Sequence, residues 1–293
     1  MTKKTDSPKL RASNRQAGKK YGGTVCIFIF LALLGAFMAF PIYIAVVMSI
    51  KPVEELFIFP PKLYAVQPTL ENFRDMFLLL RNGQVPFSRY AANSVLVTVS
   101  ITGCQCIFSS MAAFVLAKCR FPGQKLINSL IVTALLYQSS VIYIMQYIVL
   151  AKLHLIDTPA ALIFPSIASP MGLFLMRQSI SQMPDEIIEA AKADGAGLFR
   201  ICWQIVIPNQ KPALMTLIIF AFQSAWSLQS GSFVFSEELK TLPTVVQQAA
   251  ASGLARAGAA MAAAVFMLIP PAVVFIIAQK NVIRTMAHSG IKQ

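Results

Sequence analysis

The sequence predicts an all-α protein that crosses a membrane six times, and three observations support this prediction. Hydrophobic residues make up 56% of the 293 residues and charged residues only 13%, which is about half the charged fraction of a typical soluble domain. Six stretches contain no Asp, Glu, Lys or Arg, and each is close to or above the roughly 20 residues that a helix needs to cross the hydrocarbon core. Lys and Arg are unevenly distributed among the intervening loops, as expected for a polytopic membrane protein.

The charge-free stretches define the six predicted spans. Their apolar residues occur at every phase, whereas a strand of a transmembrane barrel would alternate over about 10 residues, so we interpret them as helices. The first stretch is too long for a signal peptide and lacks a small-residue cleavage site, and it is therefore expected to remain as an anchor. The spans cover residues 21–50, 90–117, 126–151, 158–176, 212–236 and 257–279.

The basic residues predict the orientation of the chain. The N-terminal residues, loops 118–125 and 177–211, and the end of the chain together carry 17 basic and five acidic residues. The loops on the other side carry eight basic and seven acidic residues. Because Lys and Arg accumulate in cytoplasmic loops, both termini are predicted to be cytoplasmic. The net charge of +13 is then mostly an orientation signal, which argues against a nucleic-acid partner.

The segments outside the spans have simpler expected roles. Residues 1–20 form a basic cytoplasmic tail with too little apolar content to pack, and residues 284–293 form a second cytoplasmic tail. The external segment 51–89 contains proline turns and a short helix near residues 69–80, whose start Thr69 can cap. Residues 242–255 are predicted to form either a re-entrant segment or an ordinary surface helix. Residues 90–283 form the membrane core.

The five cysteines and two histidines show no disulfide or metal pattern. No CxxC pair occurs, and we expect the cysteines to be small buried hydrophobic residues. The sequence also lacks a phosphate-binding loop, since its one Gly-Lys pair lies in the basic tail. The chain is therefore expected to bind no ATP and no other cofactor, and no arrangement of Ser, His and Asp indicates an enzyme.

The inside loop at residues 184–208 is the most unusual segment, because it predicts two short amphipathic helices. Pro184 suits the first turn of a helix that runs to about Asp194, and Gly195 permits a left-handed C-cap. Pro208 is expected to end the second helix. One face of the first helix is predicted to hold Ile187, Ala190, Ala191 and Asp194, and one face of the second Leu198, Ile201, Cys202 and Ile205.

This loop resembles the EAA motif in permease subunits of bacterial ABC importers. The motif is carried by Glu189, Ala190 and Ala191, then Asp194, Gly195 and Ala196, then Ile205 and Pro208. With Pro184, Glu186 and Pro212, the sequence is similar to the carbohydrate-uptake branch and resembles its maltose-type second permease. The ENF at Glu71, the Asn93-Ser94 pair and the FPG at Phe121 agree with this resemblance. The sequence from Ala221 to Phe235 matches no particular substrate subgroup.

The resemblance implies the type I importer fold in a bacterial cytoplasmic (inner) membrane. It also implies a second homologous permease, two ATPase subunits that hold ATP and Mg, and an extracytoplasmic solute-binding protein as partners. The loop would insert into a cleft of the ATPase, with Glu189 paired to a basic residue there and Gly195 allowing the turn. The coupling residues so implied are Glu186, Glu189, Ala190, Ala191, Asp194, Gly195, Ala196 and Pro208. The alternative is a loop on the lipid surface, where a helix would usually carry more Lys and Arg.

Two polar clusters are candidates for the lining of a sugar pathway, since polar residues in spans generally face the protein interior. Interhelical hydrogen bonding without a ligand is the alternative for each residue. A secondary transporter would instead require a charged residue within a span, and the six stretches contain none. A membrane scaffold would leave the inside loop without a role. The clusters are Gln138, Ser139, Tyr143, Gln146 and Tyr147 on the third span, and Gln223, Trp226 and Gln229 near the end of the fifth.

Overall fold

The computed structural model describes residues 9–60, 62–81, 85–136, 139–251 and 257–289. Within these ranges every regular element is helical. The first half contains α1 (Lys9–Ile50), α2 (Val53–Leu56), α3 (Glu71–Arg81), α4 (Phe87–Lys118), α5 (Gln124–Leu136), α6 (Ser139–Lys152) and α7 (Pro159–Ile167). The second half contains α8 (Pro170–Ser181), α9 (Glu186–Ala193), α10 (Leu198–Arg200), α11 (Ile207–Asn209), α12 (Lys211–Trp226), α13 (Leu242–Ala250) and α14 (Ala257–Ser289). A π-helical turn, Ile201–Val206, joins α10 to α11, and a 3-10 turn, Glu237–Leu239, precedes α13.

Four of the predicted spans are helices long and apolar enough to cross a membrane. Among the described residues these are Thr24–Ile50, Phe87–Lys118, Pro159–Ser181 and Ala257–Gln279. They confirm the first, second, fourth and sixth predicted spans as helical. The fourth is broken by two residues between α7 and α8, where Ser169 accepts a hydrogen bond from the Gly172 amide (3.1 Å).

The third and fifth predicted spans are not described as single helices of spanning length. The third contains two shorter apolar helices, α5 and α6, and residues 137 and 138 between them lie outside the described residues. In the fifth, α12 ends at Trp226, ten residues before the predicted end at residue 236. The reason is that residues 227–236 lack charge but are rich in Ser and contain Gly231 at a φ of 53°, and absence of charge does not itself favour a helix.

Both terminal helices extend beyond the predicted spans. At the start of the chain, residues 9–20 continue α1 as helix. At the other end α14 continues to Ser289, through most of the expected C-terminal tail. Each added residue of an existing helix gains one backbone bond without a new nucleation step, which favours such extensions.

Helix α4 lies at the centre of the bundle and packs against α7, α8 and α12. Towards its C-terminal end, Ala113 and Phe114 are buried with Met176, Ile180 and Leu217. Nearer its N-terminal end, Val97 and Ile101 are buried with residues of α7 and the segment after α12. Helix α13 packs on α3, α4 and α14, with Leu242 fully buried at its start.

The cysteines only partly follow the expectation of burial. Cys202 is buried, and Cys104, Cys106 and Cys119 are half-buried. Cys26, on the first span, is exposed in this single chain. All five are free thiols.

The external segment after α1 is held by a buried asparagine. Thr69 accepts a hydrogen bond from the Glu71 amide (3.1 Å), and α3 begins at Glu71, two residues later than predicted. Asn72 is 2% exposed, and its side-chain nitrogen donates to the carbonyls of Ser49 (2.9 Å) and Lys51 (2.6 Å) at the end of α1. The Asn72 amide thereby joins α1 to α3 beside the start of α14.

Residues 227–241, hereafter the outer loop, are fastened to the third span and the loop that follows it. The Tyr143 hydroxyl accepts a hydrogen bond from the Ser232 amide (2.8 Å). Asp157 accepts hydrogen bonds from the amides of Phe235 (2.9 Å) and Ser236 (2.8 Å) and from the Ser236 hydroxyl. These hydrogen bonds, that of the Ser236 side chain first, hold the pKa of Asp157 below its usual value.

Replacing Asp157 with alanine is expected to release the outer loop. Hydrogen exchange should show about a tenfold loss of protection at the Phe235 and Ser236 amides, the order expected when these bonds are lost. In the unchanged chain, protection should hold above the ordinary carboxyl pKa of about 4 and fall as the pH drops through the lowered pKa. Glu238→Ala is the control, because that side chain makes no hydrogen bond among the described residues. Equal protection in both variants would contradict the assignment.

Candidate functional site

The inside loop presents an acidic and partly apolar surface. On α9, Glu186 and Glu189 lie in the first turn and Asp194 forms the C-cap, and all three are exposed. The side chains of Leu198 and Phe199 are 53% and 70% exposed. We call this set the exposed loop surface; it comprises Glu186, Ile187, Glu189, Ala190, Asp194, Leu198 and Phe199.

The buried face of α9 is rotated by one residue from the prediction. Ile188 and Ala191 are buried in the same core cluster as Phe114 of α4, whereas Ile187 is 40% exposed and Ala190 is also exposed. The helix begins at Glu186 with Asp185 as its N-cap, so Pro184 precedes the first turn and the predicted start is wrong. The later start follows from the contacts of residues 183–185 with α4, described below.

Gly195 adopts the predicted left-handed conformation, with a φ of 80°. Its amide donates to the Lys192 carbonyl (3.0 Å), and the Ala196 amide donates to the Ala191 carbonyl (3.0 Å). This pair of bonds is a Schellman motif, which ends a helix and satisfies its last carbonyls. The predicted C-cap of α9 is therefore confirmed.

The second helix of the loop is more irregular than predicted. It passes through the π-helical turn Ile201–Val206 and ends at Asn209, one residue after Pro208. In this wider turn the Ile207 amide donates to the Cys202 carbonyl. The wider turn leaves room for the ring of Pro208, which would clash with the preceding turn of an ordinary α-helix. Ile201 and Cys202 are buried as predicted, but Leu198 is exposed.

A lysine at the end of α4 fixes the start of the loop. The Lys118 ammonium donates to the Met183 carbonyl and to the Asp185 carboxylate (2.6 Å). The Lys118 side chain is only 6% exposed, whereas that of Asp185 is 74% exposed. The hydrogen bond from Lys118 and then its charge hold the pKa of Asp185 below its ordinary value. No sequence pattern indicates this contact, because Lys118 also fits an ordinary positively charged loop.

The loop thus consists of an exposed surface on a firmly anchored base, in a protein with several apolar spans. The model of one protein family, described as "Binding-protein-dependent transport system inner membrane component", matches residues 84–288, which include this loop. The chain belongs to this family. It is a permease subunit of an ABC importer, not an enzyme, as the resemblance implied. Membership also makes it an inner-membrane component that works with an ATPase and a binding protein.

Individual relatives cover nearly the whole permease. The sn-glycerol-3-phosphate transport system permease protein UgpE of Escherichia coli O1:K1 is 29% identical over 265 residues, covering 88% of this chain and 94% of the relative. The arabinooligosaccharides transport system permease protein AraQ of Bacillus subtilis is 27% identical over 270 residues, covering 92% and 95%. A chain from the crystal structure of a bacterial ABC transporter involved in import of the acidic polysaccharide alginate has a TM-score of 0.73 at 20% identity, covering 95% and 99%. That last likeness confirms the fold.

The permease brings together only some of the predicted pathway residues. Tyr143 and Tyr147 both contact Phe233 of the outer loop, at ring-centroid distances of 4.6 and 6.4 Å. The same loop carries Gln229, which is exposed, as is Gln223 at the outer part of α12. Tyr143, Tyr147 and Phe233 thus form an aromatic cluster between the third span and the outer loop.

The remaining pathway residues lie elsewhere. Trp226 is 6% exposed, and its indole nitrogen donates to the Met267 carbonyl of α14 (3.0 Å), so it has a packing role within this chain. Gln146 lines an apolar cavity of about 730 Å³ between α6 and α7. Ser139 is the first residue of α6, and Gln138 lies outside the described residues.

Proposed function

We propose that the permease imports an oligosaccharide as one of two homologous membrane subunits. It is joined by two ATPase subunits, which bind all of the ATP and Mg, and by an extracytoplasmic solute-binding protein. Sequence likeness to a permease for arabinooligosaccharides supports the substrate class. The tyrosines beside the outer loop also fit, since aromatic faces and hydroxyl groups suit the apolar and polar sides of a sugar ring.

We also propose six spans with both termini in the cytoplasm. The two apolar helices α5 and α6 lie within residues 124–152, a stretch long enough for one crossing. Helix α12 has 16 residues and is bent by 85° from the preceding helical segment. Because 16 residues are too few to cross alone, α12 forms the fifth crossing together with part of the outer loop. Six crossings place the basic N-terminal residues and the inside loop on the same side, as the distribution of Lys and Arg requires.

The observation that carries the coupling role is the division of the inside loop into two faces. Its base is buried against α4, α8 and α12, so a force on the loop acts directly on three helices. The exposed loop surface offers acidic side chains around Ile187 and Ala190, which suits a cleft with basic residues at its rim. The proposed ATPase-contacting residues are Glu186, Glu189, Ala190 and Asp194, with Ala191, Gly195, Ala196 and Pro208 shaping the loop.

The substrate class is tested by the ATPase activity of the reconstituted assembly with its binding protein. Arabinooligosaccharides or alginate oligosaccharides are expected to stimulate ATP hydrolysis severalfold, whereas sn-glycerol-3-phosphate is expected to have no effect. A phosphate ester would need a cation in the pathway, and Tyr143, Tyr147, Gln223 and Gln229 are all neutral. Stimulation by sn-glycerol-3-phosphate alone would contradict the proposed substrate and favour that of UgpE.

A further inference from the structure

Helix α4 differs from the other spans in being unbroken. Among the described residues, α1 contains Pro41, α14 contains Pro270 and Pro271, and the span formed by α7 and α8 is broken between them. Helix α12 follows an 85° bend, and the third span contains two residues outside the described ones. Helix α4 runs for 32 residues without a proline or a break. Sharp kinks arise mostly at proline or at such interruptions, so we infer that α4 bends less readily than the other fully described spans.

The cytoplasmic end of α4 is fixed to the inside loop. Lys118, its last residue, donates to the Met183 carbonyl and to Asp185, immediately before α9. The lysine side chain is only 6% exposed, so its hydrogen bond to the Met183 carbonyl is largely shielded from water, whereas the Asp185 carboxylate is 74% exposed. Hydrogen bonds from a charged donor are stronger than neutral ones. Movement of α9 is therefore expected to carry the end of α4 with it.

The outer end of α4 is fixed to the outer loop. The Asn93 side-chain nitrogen donates to the carbonyls of Glu238 (2.7 Å) and Lys240 (3.1 Å). The neighbouring Ser94 hydroxyl accepts a hydrogen bond from the Leu242 amide (2.7 Å), and Ser94 is 2% exposed. The 26 residues from Asn93 to Lys118 span about 37 Å of helix, roughly the thickness of a membrane.

The outer loop in turn covers the candidate sugar pathway. Its Phe233 packs against Tyr143 and Tyr147, and its Ser232 amide donates to the Tyr143 hydroxyl. An added Cβ at Gly231 would lie 2.7 Å from that hydroxyl, so the loop backbone approaches the tyrosine closely. A shift of the outer end of α4 relative to α6 would break this contact.

We propose that α4 is a rigid rod that transmits the position of the inside loop to the outer loop. Lys118 and Asn93 are positioning residues at its two ends. Nucleotide binding by the ATPase then opens or closes the outer loop over Tyr143 from the far side of the membrane. The inference rests on the proposed docking of the inside loop to the ATPase, and it adds the route by which that docking reaches the pathway.

The test uses the intact assembly in lipid nanodiscs, with a cysteine-free permease carrying Phe235→Cys as a reporter on the outer loop. The rate of modification by a membrane-impermeant maleimide is measured without nucleotide and with ATP and vanadate. The rate is expected to change about fivefold or more, within the range of typical allosteric couplings. Lys118→Met and Asn93→Leu should each remove most of this change while the ATPase stays bound.

Matched variants separate transmission from simple damage. Lys118→Arg should preserve the change because it keeps the charge and the donors. Lys125→Met and Ser88→Ala should preserve it because neither side chain makes a contact of this kind among the described residues. Because the two ends act in series, the double variant should lose no more than either single variant. The two variants lie at opposite ends of the helix, so failure of one to fold leaves the other as the test.

The proposal that α4 acts as a rigid rod would be overturned if Lys118→Met or Asn93→Leu kept the full nucleotide-dependent change in modification rate. Partial losses that add in the double variant would also overturn it. A parent assembly that retains its ATPase but shows no change would also overturn it. Loss of the ATPase from the parent assembly would instead count against the proposed docking.

Discussion

Replacing Gly195 with proline is expected to abolish binding of the ATPase, with at least about a tenfold loss of copurified subunit. Gly195 has a φ of 80°, and its amide donates to the Lys192 carbonyl. Proline fixes φ near −65° and has no amide hydrogen, so the turn after α9 cannot form; such a change costs about 3 kcal/mol or more. The position of Phe199 relative to α9 in the exposed loop surface would then no longer be fixed.

Gly197→Pro is the matched control two residues away. Gly197 has a φ of −70°, which proline adopts without strain, and an added Cβ there meets nothing within 4 Å. This variant should retain the ATPase at the level of the unchanged permease. Equal binding by the Gly195 and Gly197 variants, both inserted in the membrane, would show that the turn is not needed for docking.

The second large effect is expected from Gly258→Ala at the start of α14. The added Cβ would lie 2.6 Å from Cγ of Asn72, which is buried and hydrogen-bonded to carbonyls at the C-terminal end of α1. The amide cannot retreat without breaking its bonds to the Ser49 and Lys51 carbonyls. Overpacking and loss of these bonds together cost about 3 kcal/mol, so the unfolding temperature of the purified permease should fall clearly.

Gly103→Ala in the middle of α4 serves as the control for this variant. Nothing lies within 4 Å of an added Cβ at Gly103, so alanine should leave stability unchanged or raise it by about 1 kcal/mol through its higher helix propensity. In an Asn72→Ala background the cost of Gly258→Ala should largely disappear, because the clash has been removed. An undiminished cost in that background would mean that Asn72 is not the residue that excludes a side chain at position 258.

The sequence was most informative where a physical requirement leaves few alternatives. A helix crossing lipid needs a long apolar stretch, and four of the six predicted spans are single long or slightly broken helices. A left-handed residue at a helix end favours glycine, and Gly195 has the predicted conformation. The EAA-like sequence also led to the correct family, which the match over residues 84–288 establishes.

The sequence was less informative where tertiary contacts decide. Which face of α9 is buried depends on how Lys118 holds residues 183–185. The predicted face contained Ile187, whereas the structure buries the neighbouring Ile188. Trp226 was chosen for its aromatic ring, but the Met267 carbonyl that accepts its hydrogen bond is distant in sequence. Asp157 and Asn93 bind backbone groups of the outer loop, and sequence periodicity carries no signal of such contacts.

The central claim, that the inside loop bears on an ATPase from the cytoplasmic side, is tested most directly by cross-linking in the intact assembly. Single cysteines at Ala190 and Phe199, with one at Tyr64 in the external segment as control, are treated with a short bifunctional reagent. Ala190→Cys and Phe199→Cys are expected to link to the ATPase, and Tyr64→Cys is not. Modification of positions 190 and 199 from outside intact cells, with no link to the ATPase, would contradict the claim.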